Sequence, residues 1–319
     1  MKFKPILIVA GEPNSIFFEI FLKTIKYNKF RSPIILIASK KILEKHIQYF
    51  KYNIRFKEID FKNNIKKIYP NIINLINIDY NQNKIFENIS KKSNAYIKKS
   101  FDIALKILNK GITNKLINGP ISKKTFLNKN FCGITEYLAH KTNSKNIAMI
   151  IFNKSLSVCP LTTHLPVKHI TKKITKAAII NKVHIINSFW IEYFNRKPKI
   201  AVTGLNPHCE SIDIFNEDEK IIKPTIKLLN KKNYDILGPF PADTLFLKDN
   251  RKKFDIVIGM YHDQVLTPAK TLFEYDAINV TAGLPFIRVS PDHGPNEKML
   301  GKNNSNHLSM LRSMQFLDF

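Results

Sequence analysis

Short apolar runs rich in β-branched residues alternate along this chain with amphipathic stretches of helical period, and nothing else in it restricts the fold so strongly. Ile6–Val9, Ile34–Ala38 and the runs 115–117, 156–161, 200–204 and 256–260 each have the length of a buried strand. Between them, Phe17, Ile20, Phe21 and Ile25 recur at helical spacing, as do Ile42, Leu43, His46 and Phe50, and then Tyr96, Phe101, Ala104, Ile107 and Leu108. Strand, helix, strand in succession demands a parallel sheet with helices over its faces. Asn14 or Ser15 can cap the first helix and Ser93 the third. A long helix is expected over 167–195, its stripe of Ile170, Ile174, Ala177, Ala178, Ile185, Phe189 and Trp190 serving core or dimer packing. The span 53–94, rich in Ile, Asn and Lys, carries no motif and reads as partly stranded. With 319 residues the chain can form one large core or two lobes around a cleft.

In an open parallel sheet, ligands sit at the carboxyl ends of the strands. Three of the apolar runs deliver a histidine there: 156–161 leads into Thr162-Thr163-His164, 200–204 into Leu205-Asn206-Pro207-His208, and 256–260 into Tyr261-His262-Asp263. Each alone reads better as a hydrogen-bonded loop residue than as a ligand. Three in matching contexts bring a metal site level with that reading, because three imidazoles with an open position suit zinc, cobalt or a similar divalent ion. Beyond His262 come Lys270, Asn279 and Arg288, two cations and an amide among apolar neighbours, which point to an anionic ligand. The turn Asn118-Gly119-Pro120-Ile121-Ser122-Lys123 can also offer donors to a phosphate or carboxylate, although a plain strand-to-helix turn would look the same. No G-x-G-x-x-G follows the first strand, so a nicotinamide cofactor would have to be held by other means, and its residues are unassigned.

The segments INGPISK (117–123), TTHLPV (162–167), GLNPHCE (204–210), GPFPADTLF (238–246), MYHDQVLTPAK (260–270) and INVTAGLPFIRVSPDHG (278–294) together resemble, in order, the signature blocks of the 4-hydroxythreonine-4-phosphate dehydrogenase (PdxA) family of vitamin B6 biosynthesis. The similarity runs from about Ile6 to the C-terminus. It implies a two-lobed α/β/α fold with mostly parallel sheets, isocitrate/isopropylmalate dehydrogenase-like, with the active site in the interlobe cleft. The lobes would be 1–130 plus about 285–319, and about 131–284, the latter carrying the metal histidines and dimer contacts. It further implies oxidation of 4-phosphohydroxy-L-threonine by NAD or NADP to a β-keto acid that decarboxylates to 3-amino-2-oxopropyl phosphate. A divalent metal (Zn, Co or Mg) would be held by His164, His208 and His262 at a site shared across a homodimer. Thr135, Lys270, Asn279 and Arg288 would hold the phosphorylated substrate. Asp243, in the rigid PADT turn, would stand beside metal or cofactor, and the base would be Asp243, Asp263 or a water on the metal. The same constellation would serve a metal-dependent dehydrogenase of another phosphorylated hydroxy acid, a cofactor-independent metal hydrolase or lyase, or a decayed relative with a binding role.

Three departures from the family pattern stand out. Where its first loop is glycine-rich, this chain has Asn14-Ser15-Ile16-Phe17-Phe18; where it shows G-H-T-E, this chain has Gly133-Ile134-Thr135-Glu136; and the glycines after His208 are replaced by Glu210-Ser211-Ile212-Asp213-Ile214-Phe215. Ile134 can neither donate nor accept a hydrogen bond, and only His140, farther along, could stand in for the lost imidazole. Glu217-Asp218-Glu219 reads as an ordinary acidic first turn of the next helix.

Lys and Arg outnumber Asp and Glu by 51 to 25, a formal +26, and a field of that size attracts nucleic acid. The lysines are scattered in pairs such as Lys40-Lys41, Lys66-Lys67 and Lys231-Lys232, without an arginine-rich block, which favours compositional bias over specific nucleic-acid binding. Three cysteines, Cys132, Cys159 and Cys209, fit a reducing compartment without disulfides. Cys209 adjoins His208, where a thiolate ligand or a small filler would each fit. The apolar part of the N-terminus is too short for a signal peptide or a membrane span, so a cytoplasmic protein without membrane contact is expected.

Overall fold

The structure, a computed structural model, describes residues 3–61, 67–127, 131 and 133–319; Lys66 and Cys132 lie outside the described residues. The chain divides into two units, Met1–Lys141 with Pro285–Phe319, and Thr142–Leu284. In chain order the first unit supplies β1 (Ile6–Val9), α1 (Phe17–Tyr27), β2 (Ile34–Ala38), α2 (Lys40–Tyr49), β3 (Phe56–Glu58), β4 (Ile73–Asn77), α3 (Asn94–Asn109), β5 (Lys115–Asn118) and α4 (Ile134–Lys141). The second supplies β6 (Ala148–Phe152), β7 (Ser157–Pro160), α5 (Lys176–Phe194), β8 (Ile200–Thr203), α6 (Lys223–Lys231), β9 (Ile236–Phe240), α7 (Ala242–Leu245), α8 (Lys248–Arg251), β10 (Ile256–Gly259), α9 (His262–Phe273) and β11 (Ile278–Ala282). The chain then re-enters the first unit with β12 (Ile287–Pro291) and α10 (Leu308–Leu317).

In the first unit the strand order is β3-β4-β2-β1-β5-β12, and every pairing is parallel. β1, β2 and β5 are buried along their whole length, as strands covered on both faces must be, and this is why β1 and β2 are apolar runs rather than alternating ones, while β5 buries Lys115 and Asn118 at its ends. α1 buries Phe17, Phe18, Ile20, Phe21 and Leu22, and α3 buries its predicted stripe. β3 is short and largely exposed, a safe edge for the sheet. The second unit orders its strands β11-β6-β7-β10-β8-β9, with β6 antiparallel to both neighbours and β7, β10, β8 and β9 mutually parallel. The architecture is α/β with mostly parallel sheets. Val158, Ala201, Val257, Val265, Ala269 and Phe254 form the centre of the second core, on which α9 lies.

Three local expectations are corrected. The N-cap position of α1 is Ile16, with no side-chain cap hydrogen bond, rather than Asn14 or Ser15. The long helix begins only at Lys176, because Thr175 caps it by accepting from the Ala178 amide at 3.1 Å; residues 167–169 and 171–173 form separate single turns. Ser93 does not cap α3: its hydroxyl donates to Oε2 of Glu12 at 2.9 Å, and burial raises the Glu12 carboxyl above its usual range. The segment 14–18 has repacked with its own side chains. Ile16, Phe17 and Phe18 are buried, and a Cβ on Gly119 would meet the Phe17 ring at 2.5 Å, so the loop fills the space that glycines leave open.

Candidate active site

β7, β10 and β8 are adjacent and parallel, with Gly259 level with Pro160 and Ile258 level with Val202. The loops carrying His164, His262 and His208 therefore leave one edge side by side. They are also tied together just beyond the strands. The Thr162 hydroxyl donates to the Met260 carbonyl at 2.8 Å, and the Leu161 amide to the Gly259 carbonyl at 2.7 Å. From the other side, Oε1 of Gln264 accepts from the Met260 amide and the Thr203 hydroxyl at 2.7 and 2.8 Å, while its Nε2 donates to the Gly204 carbonyl at 2.7 Å.

The His164 and His262 ring centroids are 5.8 Å apart. Two imidazoles on one tetrahedral ion would have centroids about 5 Å apart, given metal–nitrogen distances of about 2 Å. Nδ1 of His262 is 2.7 Å from Oδ1 of Asp263. With the carboxylate as acceptor, Nδ1 carries the proton and Nε2 is the nitrogen available to a metal. His208 sits on the neighbouring loop in a left-handed conformation, φ 56° and ψ 13°. Among the described residues, no three His, Cys, Asp or Glu side chains of a single chain gather as a metal-binding group. The donor chemistry fits a divalent ion at His164 and His262, with His208 on the same edge. Asp243 lies exposed in the first turn of α7. Cys209 is half-buried, and its thiol is pushed up by burial and by the Asp218, Asp243 and Glu210 charges. Cys159 is fully buried in β7.

In the first unit Arg288, on β12, is 1% exposed. Its Nε donates to Oδ1 of Asn118 at 2.7 Å and its Nη1 to the Thr135 hydroxyl at 3.3 Å. Burial pushes the guanidinium down to about 10, partly offset by the Glu136 charge. These bonds join α4 to the first unit, whose first segment runs to Lys141 rather than to about residue 130. In the second unit, Lys270 lies two turns along α9 from His262. Oδ1 of Asn279, on β11, is buried with no hydrogen-bond partner, and an amide oxygen in that condition calls for a donor from a ligand or water.

The family model described as Pyridoxal phosphate biosynthetic protein PdxA matches residues 29–317. A 4-hydroxythreonine-4-phosphate dehydrogenase of Sulfurihydrogenibium sp. is 38% identical, the match covering 97% of this chain and 95% of that protein. The chain belongs to the PdxA family. A D-threonate 4-phosphate dehydrogenase of Salmonella typhimurium is 30% identical, covering 92% of each chain. The crystal structure of a 4-hydroxythreonine-4-phosphate dehydrogenase from Klebsiella pneumoniae superposes with a TM-score of 0.84 at 26% identity, covering 98% of both chains.

For a PdxA-family protein, two residues here exceed what the sequence signals. Asn118 was visible only as part of a possible phosphate turn, yet it holds the buried guanidinium. Gln264 carried no signal, because a glutamine one turn into a helix is ordinary until the tertiary structure puts two strand ends against it. His140 does not replace the imidazole missing at Ile134; it is exposed and lies tilted against Phe131 with centroids 5.4 Å apart.

Proposed function

We propose that this PdxA-family chain oxidises 4-phosphohydroxy-L-threonine with NAD or NADP and releases carbon dioxide and 3-amino-2-oxopropyl phosphate, as a step of pyridoxal phosphate formation. The observation that carries this reading is the His164–His262 pair at the carboxyl edge of adjacent parallel strands, with Asp263 behind one ring, in a chain of this family. His164 and His262, joined by His208, would hold a divalent ion, which when bound supplies the Lewis acidity that oxidation of an alcohol and loss of carbon dioxide both need. A bound nicotinamide cofactor would supply the acceptor for the hydride.

The chain's own groups do the rest. Arg288, held by Asn118 and Thr135, presents a planar cation to the phosphate, and Lys270 adds a point charge. The bare Oδ1 of Asn279 accepts from a substrate donor. Asp263 is engaged with His262, so Asp243 is the carboxylate we assign to the hydroxyl proton. As hydride and proton leave, the alcohol carbon becomes a ketone β to the carboxylate. The bond to that carboxylate then breaks, and its electrons move toward the ketone oxygen.

The reading includes a homodimer. Val167 and Ile212, Ile214 and Phe215 are exposed apolar residues in the segments that follow His164 and His208, and a second copy covering them would complete a shared site. Among the described residues no helix is long and apolar enough to cross a membrane, and we place the protein in the cytoplasm. Near-ultraviolet absorbance from NAD(P)H tests the whole: the purified protein should reduce cofactor with 4-phosphohydroxy-L-threonine and stop when chelator is added. Faster turnover of D-threonate 4-phosphate would move the substrate to that relative's. No reduction with either would remove the dehydrogenase reading.

A further inference from the structure

The loop from Gly204 to Glu210 is held by a residue well beyond it in sequence. Asp218 is 0% exposed, and a buried carboxylate is costly unless its oxygens are fully used. They are used on the His208 loop. Oδ1 accepts from the Leu205 amide at 2.7 Å, while Oδ2 accepts from the Asn206 amide at 3.1 Å and from the Asn206 side-chain Nδ2 at 3.0 Å. Glu217 adds a weaker contact to the same Nδ2 at 3.5 Å. The acidic turn is therefore more than a match for the helix dipole. The carboxylate of Asp218 leaves its own helix unserved, and its amide is bound by Oδ1 of Asn216 at 2.9 Å.

The clamp reaches His208 in two short steps. Asn206, fixed by Asp218, accepts the Cys209 amide on its carbonyl at 3.0 Å, closing the turn over Pro207 and His208. Inside that turn His208 and Cys209 have φ of 56° and 61°, a left-handed conformation that side-chain-bearing residues keep only when the surroundings impose it. At Gly204 a Cβ would meet Cys209 Sγ at 2.6 Å and Asp218 Oδ1 at 2.7 Å, so strand end, turn and carboxylate are in close contact.

We infer that Asp218 is the positioning residue for His208: its carboxylate holds the loop in the strained turn that presents the imidazole to the metal. This rests on the metal reading above. Only a carboxylate offers acceptors alone on both oxygens, so Asp218→Asn must turn an N–H toward one of the donors it now satisfies.

The test is a cobalt(II) titration of the full-length, metal-free protein, followed by visible absorption and chelator competition, with amide exchange of segment 204–210 measured before metal is added. Asp218→Asn should bind cobalt roughly 10–100-fold more weakly, the usual consequence of losing an outer-shell support, and should exchange the Leu205 and Asn206 amides faster. In His208→Ala the same substitution should cost nothing further, since the two act through one ring. Should Asp218→Asn not fold, Asn206→Ala removes the Nδ2 contacts to Asp218 and Glu217 while leaving both amide bonds to Asp218 in place, and should weaken cobalt in the same direction by a smaller factor. Wild-type protein that binds no cobalt overturns the metal reading, and this inference with it. Cobalt binding unchanged in both variants, or an additive effect in His208→Ala, overturns the positioning role and leaves the metal reading standing.

Discussion

Oδ1 of Asp263 accepts a 2.7 Å hydrogen bond from Nδ1 of the adjacent His262, whose ring centroid lies 5.8 Å from that of His164. The carboxylate is mostly exposed, at 80% of its side chain, so little of the fold depends on it. What it decides is which ring nitrogen faces a metal. Asp263→Ala is expected to weaken divalent-metal affinity roughly 10–100-fold with the melting temperature nearly unchanged. Calorimetric metal titration beside thermal unfolding checks both, and equal affinity in the variant would end the orienting role.

Arg288 donates directional bonds from one planar group to Asn118 and to Thr135. Lysine cannot reproduce that fork. Arg288→Lys should raise KM for the phosphorylated substrate by about 10-fold or more, and Asn118→Ala, which strands a buried Nε–H, should cost about 1–3 kcal/mol of stability. Steady-state kinetics and urea unfolding read these out. A lysine variant with wild-type KM would remove Arg288 from the substrate site.

Away from the site, His46 is 1% exposed, with Phe18 and Phe86 ring centroids 4.7 and 5.4 Å away. Nδ1 donates to the Ile42 carbonyl at 2.8 Å, Nε2 has no partner, and burial pushes the imidazole down to about 4. The unfolded chain, with an ordinary imidazole near 6.5, takes up the proton first as pH falls. The native protein is therefore favoured above about pH 6.5, and this contribution of about 3 kcal/mol is lost between there and about pH 4. Unfolding free energies across that window should show a slope that His46→Phe abolishes, and an unchanged slope in the variant would refute the assignment.

Ile134 adjoins Thr135 at the start of α4, where the family pattern places histidine. If 4-phosphohydroxy-L-threonine is the substrate, Ile134→His should restore a hydrogen bond worth about 1–3 kcal/mol and improve kcat/KM by about 5–100-fold. A decline with that substrate, alongside wild-type activity on a phosphorylated hydroxy acid lacking the amine, would show that isoleucine suits another ligand.

Much of the strand framework was legible because strands buried on both faces must be apolar throughout, and Ile6–Val9 and Ile34–Ala38 are. Boundaries were less so. The end of one apolar stripe does not reveal that Thr175 will interrupt it by bonding to the Ala178 amide. Ser93 shows the same limit: its hydroxyl suits its own helix or Glu12, and only the fold brings Glu12 within reach.

The chain's order of residues determined that three parallel strands would each end in a histidine, since apolar length and the residue following it are local properties. It could not say that β10 lies between β7 and β8, that Gln264 joins their ends, or that Asp218 serves the His208 loop rather than its own helix. Those are choices among partners distant in sequence. A buried hydrogen-bonding group takes whichever donor or acceptor packing leaves within about 3 Å, and packing is settled only when the whole core closes.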